Sequence, residues 1–473
     1  MAIYYVDYSM GSDLSAGTST GAAWKHCPGD SNASGNAAIT LSAGDKVYFK
    51  KGVTYSGKIT ANGNGSGEDT RITYGVTDWT NGGSEYALMD ANGDTCNFNL
   101  ISKAYLDLFG LDAFGNASTS KWAVGTDNTS DHVRIYSCKV HDCYGDLIRM
   151  RESKSCAIHD KILYNEKKGT GSDFQSCIGL YGIGANSSEK TLVHNNELYD
   201  GEIDGMVFHG KYIDVYNNIV HGFDSNVEHG DGIVCNGLST STGYINIYGN
   251  LIYNCGQYIY LDPILTGRSV DHINIFNNVC YEIDMARNED AIANPVCFCI
   301  AHGSGGTASY IYVENNTFID GTVGVSLGGF TGNHIYVRNN ILSQMLYATD
   351  RPVVVSADGT KTDIYFDYNQ YQHHAGGTDV KYMGADKTFA EWRGSPYNQE
   401  AHGQEGDPLF NGRAGYDFIL TSPSPCIGKA TNSVGGGFTT DKNGVDRGVV
   451  WDIGAHEYMS EAPVMPFSTM LRF

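Results

Sequence analysis

One short phrase recurs through the middle of this chain and restricts its fold more than any other feature. An alternating strand runs into Asn-Asn or a close variant, followed by a second short apolar stretch and a turn. Clear copies are Leu192-Val193-His194-Asn195-Asn196, Ile213-Asp214-Val215-Tyr216-Asn217-Asn218 and Ile245-Asn246-Ile247-Tyr248-Gly249-Asn250. Further copies end at Asn277-Asn278, Asn315-Asn316 and Asn339-Asn340, with weaker ones at Val133–Cys138 and Ile364–Asn369. The second asparagines stand at 196, 218, 250, 278, 316 and 340, so the spacings are 22, 32, 28, 38 and 24. A constant phrase with variable connections is what a solenoid requires, because coils stack in register while insertions loop out. Asparagine suits the corner. It tolerates left-handed backbone, and its amide can bond to the same amide one coil above, about 4.8 Å away.

The expected fold is therefore all-β, a right-handed parallel β-helix solenoid, since parallel crossovers are right-handed. No leucine consensus or regular hairpin signal supports a leucine-rich repeat or a propeller. Residues 1–100 read as an N-terminal cap and first coils, 101–404 as central coils carrying a groove, and 405–473 as a C-terminal closing segment and tail. All three form one continuous domain. Glycine at 59 residues, tyrosine at 32 and proline at only 10 fit many turns and strands and few long helices.

Charge narrows the partners. Lysine and arginine total 31 against 53 acidic residues, a net of −22. Nucleic-acid binding needs a basic footprint and is not expected. No apolar run of about 18 residues exists, so no membrane span is expected. The 12 cysteines show no CxxC pair and read as buried small hydrophobes. The N-terminus has no signal-peptide pattern, and the expected location is extracellular or virion-associated.

Both ends resemble a known family. The opening Tyr4-Tyr5-Val6-Asp7, Gly11-Ser12-Asp13, Trp24 and Ala43-Gly44-Asp45-Lys46-Val47-Tyr48-Phe49 resembles that of secreted or phage-borne right-handed β-helix proteins of the pectate-lyase-like superfamily. So do Asp407-Pro408-Leu409-Phe410, Asp441-Lys442-Asn443-Gly444 and Asp452-Ile453-Gly454-Ala455-His456-Glu457-Tyr458 near the other end. The resemblance implies a carbohydrate-active protein of the bacterial or phage depolymerase type, with a polysaccharide partner and a monomeric or homotrimeric state. It does not single out a chemistry. Gly230-Asp231-Gly232 and Ala301-His302-Gly303 are faint echoes of polygalacturonase blocks, and the Asp-Asp and Arg-Ile-Lys blocks of that family are missing.

Aligning the second apolar stretch of each coil locates a groove wall. Ile148, Ile178, Met206, Ile233 and Ile259 point inward, as do Met150, Leu180, Phe208, Cys235 and Leu261. The outward column is then Arg151, Tyr181, His209, Asn236 and Asp262, and a corner column holds Asp146, Ser176, Asp204, Asp231 and Gln257. Residues 149–168 carry six basic side chains, including Arg149 and Lys168, against three acidic ones, a positive island that suits an anionic glycan.

Three functions follow. The first is β-elimination on an acidic polysaccharide. Arg149 and Arg151, or a bound calcium ion, neutralise the substrate carboxylate, and His209, Lys211 or Tyr181 moves the proton. Asn236, Tyr260 and Asp262 are expected to bind substrate beside them. The second is glycoside hydrolysis by the pair Asp204 and Asp231 on adjacent corners. The third is a non-catalytic carbohydrate-binding tailspike or adhesin. Tyr216, Tyr248, Tyr312 and Tyr336 are expected to be ordinary exposed strand positions in any of the three.

Overall fold

The computed structural model describes residues 1–167, 175–184, 186–223, 230–237, 241–282, 295–301, 305–344, 350–374, 380–433, 435 and 437–460. Lys168, the His302 echo and the tail beyond residue 460 lie outside these residues. The chain is a right-handed parallel β-helix with three faces. Face one includes Asp146–Arg151, Ser176–Ile183, Ile233–Asn236 and Gln257–Asp262. Face two includes Ala157–His159, Thr191–His194, Thr242–Tyr248 and Ser269–Phe276. Face three is a sheet of 13 strands among the described residues. The strand Asp204–Tyr216 runs unbroken from face one into face two, which joins those faces as one sheet, of 25 strands among the described residues. Coil stacking begins almost at once, with Ile3 beside Lys46, so much of residues 1–100 already belongs to the solenoid. Among the described residues no helix is long and apolar enough to cross a membrane.

Two columns of the Asn-Asn phrase do different work. The first asparagine takes the left-handed turn, with φ of 55° at Asn195, 54° at Asn217 and 57° at Asn277. The second is buried and forms the ladder. Each amide Nδ2 donates to the Oδ1 of the next coil, from Asn196 through Asn218, Asn250, Asn278, Asn316 and Asn340 to Asn369, at 2.9 to 3.0 Å. The same Oδ1 accepts a backbone N–H, and the second amide proton reaches a carbonyl of the previous coil, as in Asn278 to Ile247. From Asn218 to Asn340 the side-chain amide groups at these corners are thus paired inside the core, where an orphan would be costly; at the first rung Asn196 Oδ1 is left without a donor.

The ladder is directional, and its ends match its dipole. Buried Lys161 occupies the rung position before Asn196. At the other end Glu400 accepts from Asn369 Nδ2 at 2.6 Å and from the Tyr371 hydroxyl at 2.5 Å. Burial pushes the Glu400 carboxyl up to about 8 from its ordinary 4.5. A raised carboxyl contributes stability that is complete below the ordinary value and is lost as pH rises through the folded one. The urea midpoint is therefore expected to fall from about pH 4.5 to about pH 8 and to level off above that, with a flatter profile in Glu400→Gln. An unchanged slope in that variant would mean that Glu400 does not govern this pH range.

The core is a single stack of inward side chains. All ten inward residues expected on face one are fully buried, each stabilising by roughly 1.5–3 kcal/mol where the side chain is a large aliphatic or aromatic. The twelve cysteines are buried free thiols. Outward rings also stack. Phe109, Tyr136, His159, His194, Tyr216, Tyr248, Phe276 and Phe438 form one column with centroids 4.3 to 5.2 Å apart. Tyr216 and Tyr248 are therefore half-buried members of a stack, not plain exposed positions, and Tyr312 stacks on Tyr336 in the same way at 5.2 Å.

The closing segment does not close the end. That task falls to the helix Phe389–Arg393, capped by Thr388 and Glu391, which buries Phe389 and Trp392 over the last coil. Residues beyond 405 instead fold back as a strap along the outside, where Phe418, Leu420, Cys426 and Ile453 pack on Val279, Ile319 and Ile341. The outer asparagines hold the strap. Asn277, Asn315 and Asn339 donate to the carbonyls of Thr440, Asp452 and Thr431 at 2.8, 3.0 and 2.7 Å. Buried Arg447 bridges Asn277 Oδ1 at 2.7 Å and Glu457.

Candidate functional site

Face one aligns as its inward residues require. Arg151 lies beside Tyr181, Tyr181 beside His209, and Asn236 beside Asp262 on successive strands. Strand alternation turns all five outward, one coil apart. Tyr181 does not project straight out. Its ring folds back over Gly179, where any Cβ would lie 2.5 Å from the ring, and its hydroxyl donates to Asp146 Oδ1 at 3.1 Å. Arg149 completes this knot, with Nε 2.8 Å from Asp146 Oδ2 and its guanidinium 4.8 Å from the Tyr181 ring centroid. His209 meets Tyr181 edge-on at 5.1 Å.

The two arginines play different parts. Arg149 is buried and neutralised by Asp146. The Arg151 side chain is 48% exposed, and among the described residues it has one carboxylate within ion-pair distance, Asp127 at 3.9 Å. The rest of the positive island disperses. Lys161 turns inward to the ladder, Lys154 pairs with Glu189 at 3.1 Å, and Lys167 sits 3.6 Å from Asp142. Burial, followed by the charges of Arg149 and Arg151, pulls His209 down to about 4, so its imidazole is neutral at ordinary pH.

The corner column is a row of carboxyl groups. Asp146 Oδ1 accepts the Ser176 N–H at 2.8 Å, and Asp204 Oδ1 accepts the Asp231 N–H at 3.0 Å, so each caps the next coil. Burial raises Asp146 to about 6 despite Arg149. It also raises Asp231 well above the carboxylate range, helped by Asp204 and Asp262. Glu166 joins this row. It is fully buried, accepts the Ile203 N–H at 3.3 Å, and is pushed well up by burial and then by Asp146 and Asp204. Glu166 lies in a turn between phrases and so has no periodic signal in sequence. Among the described residues no three His, Cys, Asp or Glu side chains are grouped to hold a metal ion.

Not every expected residue joins the site. Lys211 lies beyond Gly210, where the strand bends into face two. It pairs with Gly243, and its Nζ sits 6.0 Å over the Tyr244 ring. Lys211 therefore stands on face two, apart from the Arg151, Tyr181 and His209 row. Tyr260 packs with Tyr181, Val207 and Val234 and donates to the Ala301 carbonyl at 2.8 Å. Asn236 Nδ2 donates to Asp262 Oδ2 at 3.3 Å.

No protein-family model matches the chain, and neither does any curated protein. Solved structures similar to it include pectate lyase Pel9A, at 13% identity over 97% of this chain and 97% of that one, with a TM-score of 0.48. A lacto-N-biosidase from Eubacterium ramulus is 11% identical over 86% of this chain and 67% of that one, with a TM-score of 0.47. The tailspike of E. coli bacteriophage HK620 is 8% identical over 76% of this chain and 68% of its own, with a TM-score of 0.44. These are likenesses of fold.

Proposed function

We propose that the protein cleaves an acidic polysaccharide by β-elimination on face one. The observation that carries this reading is the row Arg151, Tyr181, His209 on adjacent strands, with the first an exposed cation and the last a neutral base. Burial depresses His209 most, followed by the charges of Arg149 and Arg151; a uronate carboxylate seated on Arg151 offsets the last of these, so the base strengthens when substrate is bound. The His209 imidazole takes the proton on C5, a C4–C5 double bond forms, and the C4–O bond breaks. The leaving oxygen takes its proton from water, since the Tyr181 hydroxyl is turned back onto buried Asp146.

A second reading has its own support. Buried Asp231 and Glu166 hold their protons above the ordinary range, which suits a general acid for glycoside hydrolysis with Asp204 as partner. Incubation with pectate, alginate, hyaluronan and neutral xylan separates the readings. Elimination is expected to give product with the ultraviolet absorbance of an unsaturated uronate from at least one acidic polymer. New reducing ends without that absorbance would replace the proposal by the hydrolase. Binding with neither signal would replace it by a carbohydrate-binding tailspike or adhesin. A parallel arm with EDTA tests calcium as an additional neutralising cation.

A further inference from the structure

The strap leaves part of the solenoid's corner uncovered, opposite face one. Outer asparagines of three coils are bonded to strap carbonyls, at Asn277, Asn315 and Asn339. The equivalent amides of Asn195 and Asn217 are exposed and have no protein partner among the described residues. Between the two sets the column holds Gly249, at φ of 66°. A Cβ there would lie 2.6 Å from Asn217 Oδ1, so this glycine opens a notch in a wall that asparagine otherwise fills. Strap residues 437–444 overhang the notch. Lys442 Nζ pins them to the Gly249 carbonyl, and Phe438 stacks on Phe276 at 4.3 Å. The cleft between overhang and corner is about 1330 Å3.

The lining defines the ligand. Its floor offers the amides of Asn195 and Asn217 beside Asn246, which itself donates to Asp214 Oδ1 at 2.6 Å. Amides and carboxylates one coil apart present donors and acceptors in a repeating row, about 4.8 Å per step. Hydroxyl groups, which both donate and accept, match such a row. The two lysines in the lining are tied to backbone carbonyls, Lys442 to Gly249 and Lys161 to His159 at 3.3 Å, and they face Glu197, Asp441 and Asp214, the last paired with Lys190 at 2.9 Å. The lining therefore offers no net positive charge to draw in a polyanion. We infer that this cleft is a second carbohydrate site, which holds a neutral oligosaccharide chain against the Asn195–Asn217 corner, separate from face one.

Calorimetric titration of the full chain with cellohexaose, xylohexaose, mannohexaose and laminarihexaose tests this. At least one is expected to bind, and hexagalacturonate is not expected to compete for the cleft. Gly249→Asn, which restores the residue other coils use, and Asn217→Ala are each expected to weaken binding at least about tenfold. Both variants should keep wild-type circular dichroism and face-one cleavage, and Arg151→Ala should bind the neutral chain normally. The inference is overturned if none of the four neutral chains binds, if binding survives both corner variants, or if Arg151→Ala abolishes it.

Discussion

Replacing Asn278 by alanine is expected to destabilise the protein by roughly 3–5 kcal/mol, because one side chain carries four bonds in the core. Asn278 Nδ2 donates to the Ile247 carbonyl at 2.9 Å and to Asn316 Oδ1 at 3.0 Å. Its Oδ1 accepts the Asn250 N–H at 3.0 Å and Asn250 Nδ2 at 2.9 Å. Alanine strands the Asn250 donors and the Ile247 carbonyl away from water, at about 1–3 kcal/mol for each unsatisfied group. The exposed neighbour in the phrase is a control. Asn217→Ala loses only left-handed tolerance, at about 1 kcal/mol. Urea unfolding followed by far-ultraviolet circular dichroism measures both. Equal midpoints for the two variants would show that the ladder contributes nothing beyond turn geometry.

His209→Ala is expected to lower the elimination rate by about 10²–10⁴, the usual contribution of a positioned base, with little change in KM. Arg151→Ala should raise KM as well, since the same contact holds the substrate carboxylate. The pH profile adds a sign. His209 is depressed to about 4 in the free protein, and a base works above its own pKa. The acid limb of kcat/KM is therefore expected near 4, and that of kcat at higher pH, because bound uronate offsets the arginines. An acid limb at an unperturbed 6.5 in both quantities would remove His209 from the role.

Much of this architecture was legible in the residues. Strand alternation fixes which side chains face inward, so the register of face one follows once five apolar stretches are aligned, and the Asn-Asn phrase marks the corner. What was not legible depends on contacts between distant segments. Nothing local to Asn277 or Asn339 says that their amides hold a strap about a hundred or more residues further on. Arg447 gives no sign in sequence that it is buried among Asn277 and Glu457. The bend at Gly210 diverts Lys211 because the strand continues without a break, which a period-two pattern does not register. Tyr181 turns back onto Asp146 only because position 179 lacks a side chain. Glu166 is drawn into the carboxyl row from a turn that carries no repeat.

The direct test of the account is a crystal structure of the His209→Ala protein with an oligomer of the acidic glycan that the wild type cleaves. A uronate carboxylate is expected on Arg151, with its C5 hydrogen facing the vacated position 209 on the next-but-one strand. An oligomer seated elsewhere on the coil, or Arg151 and position 209 on different walls, would contradict it.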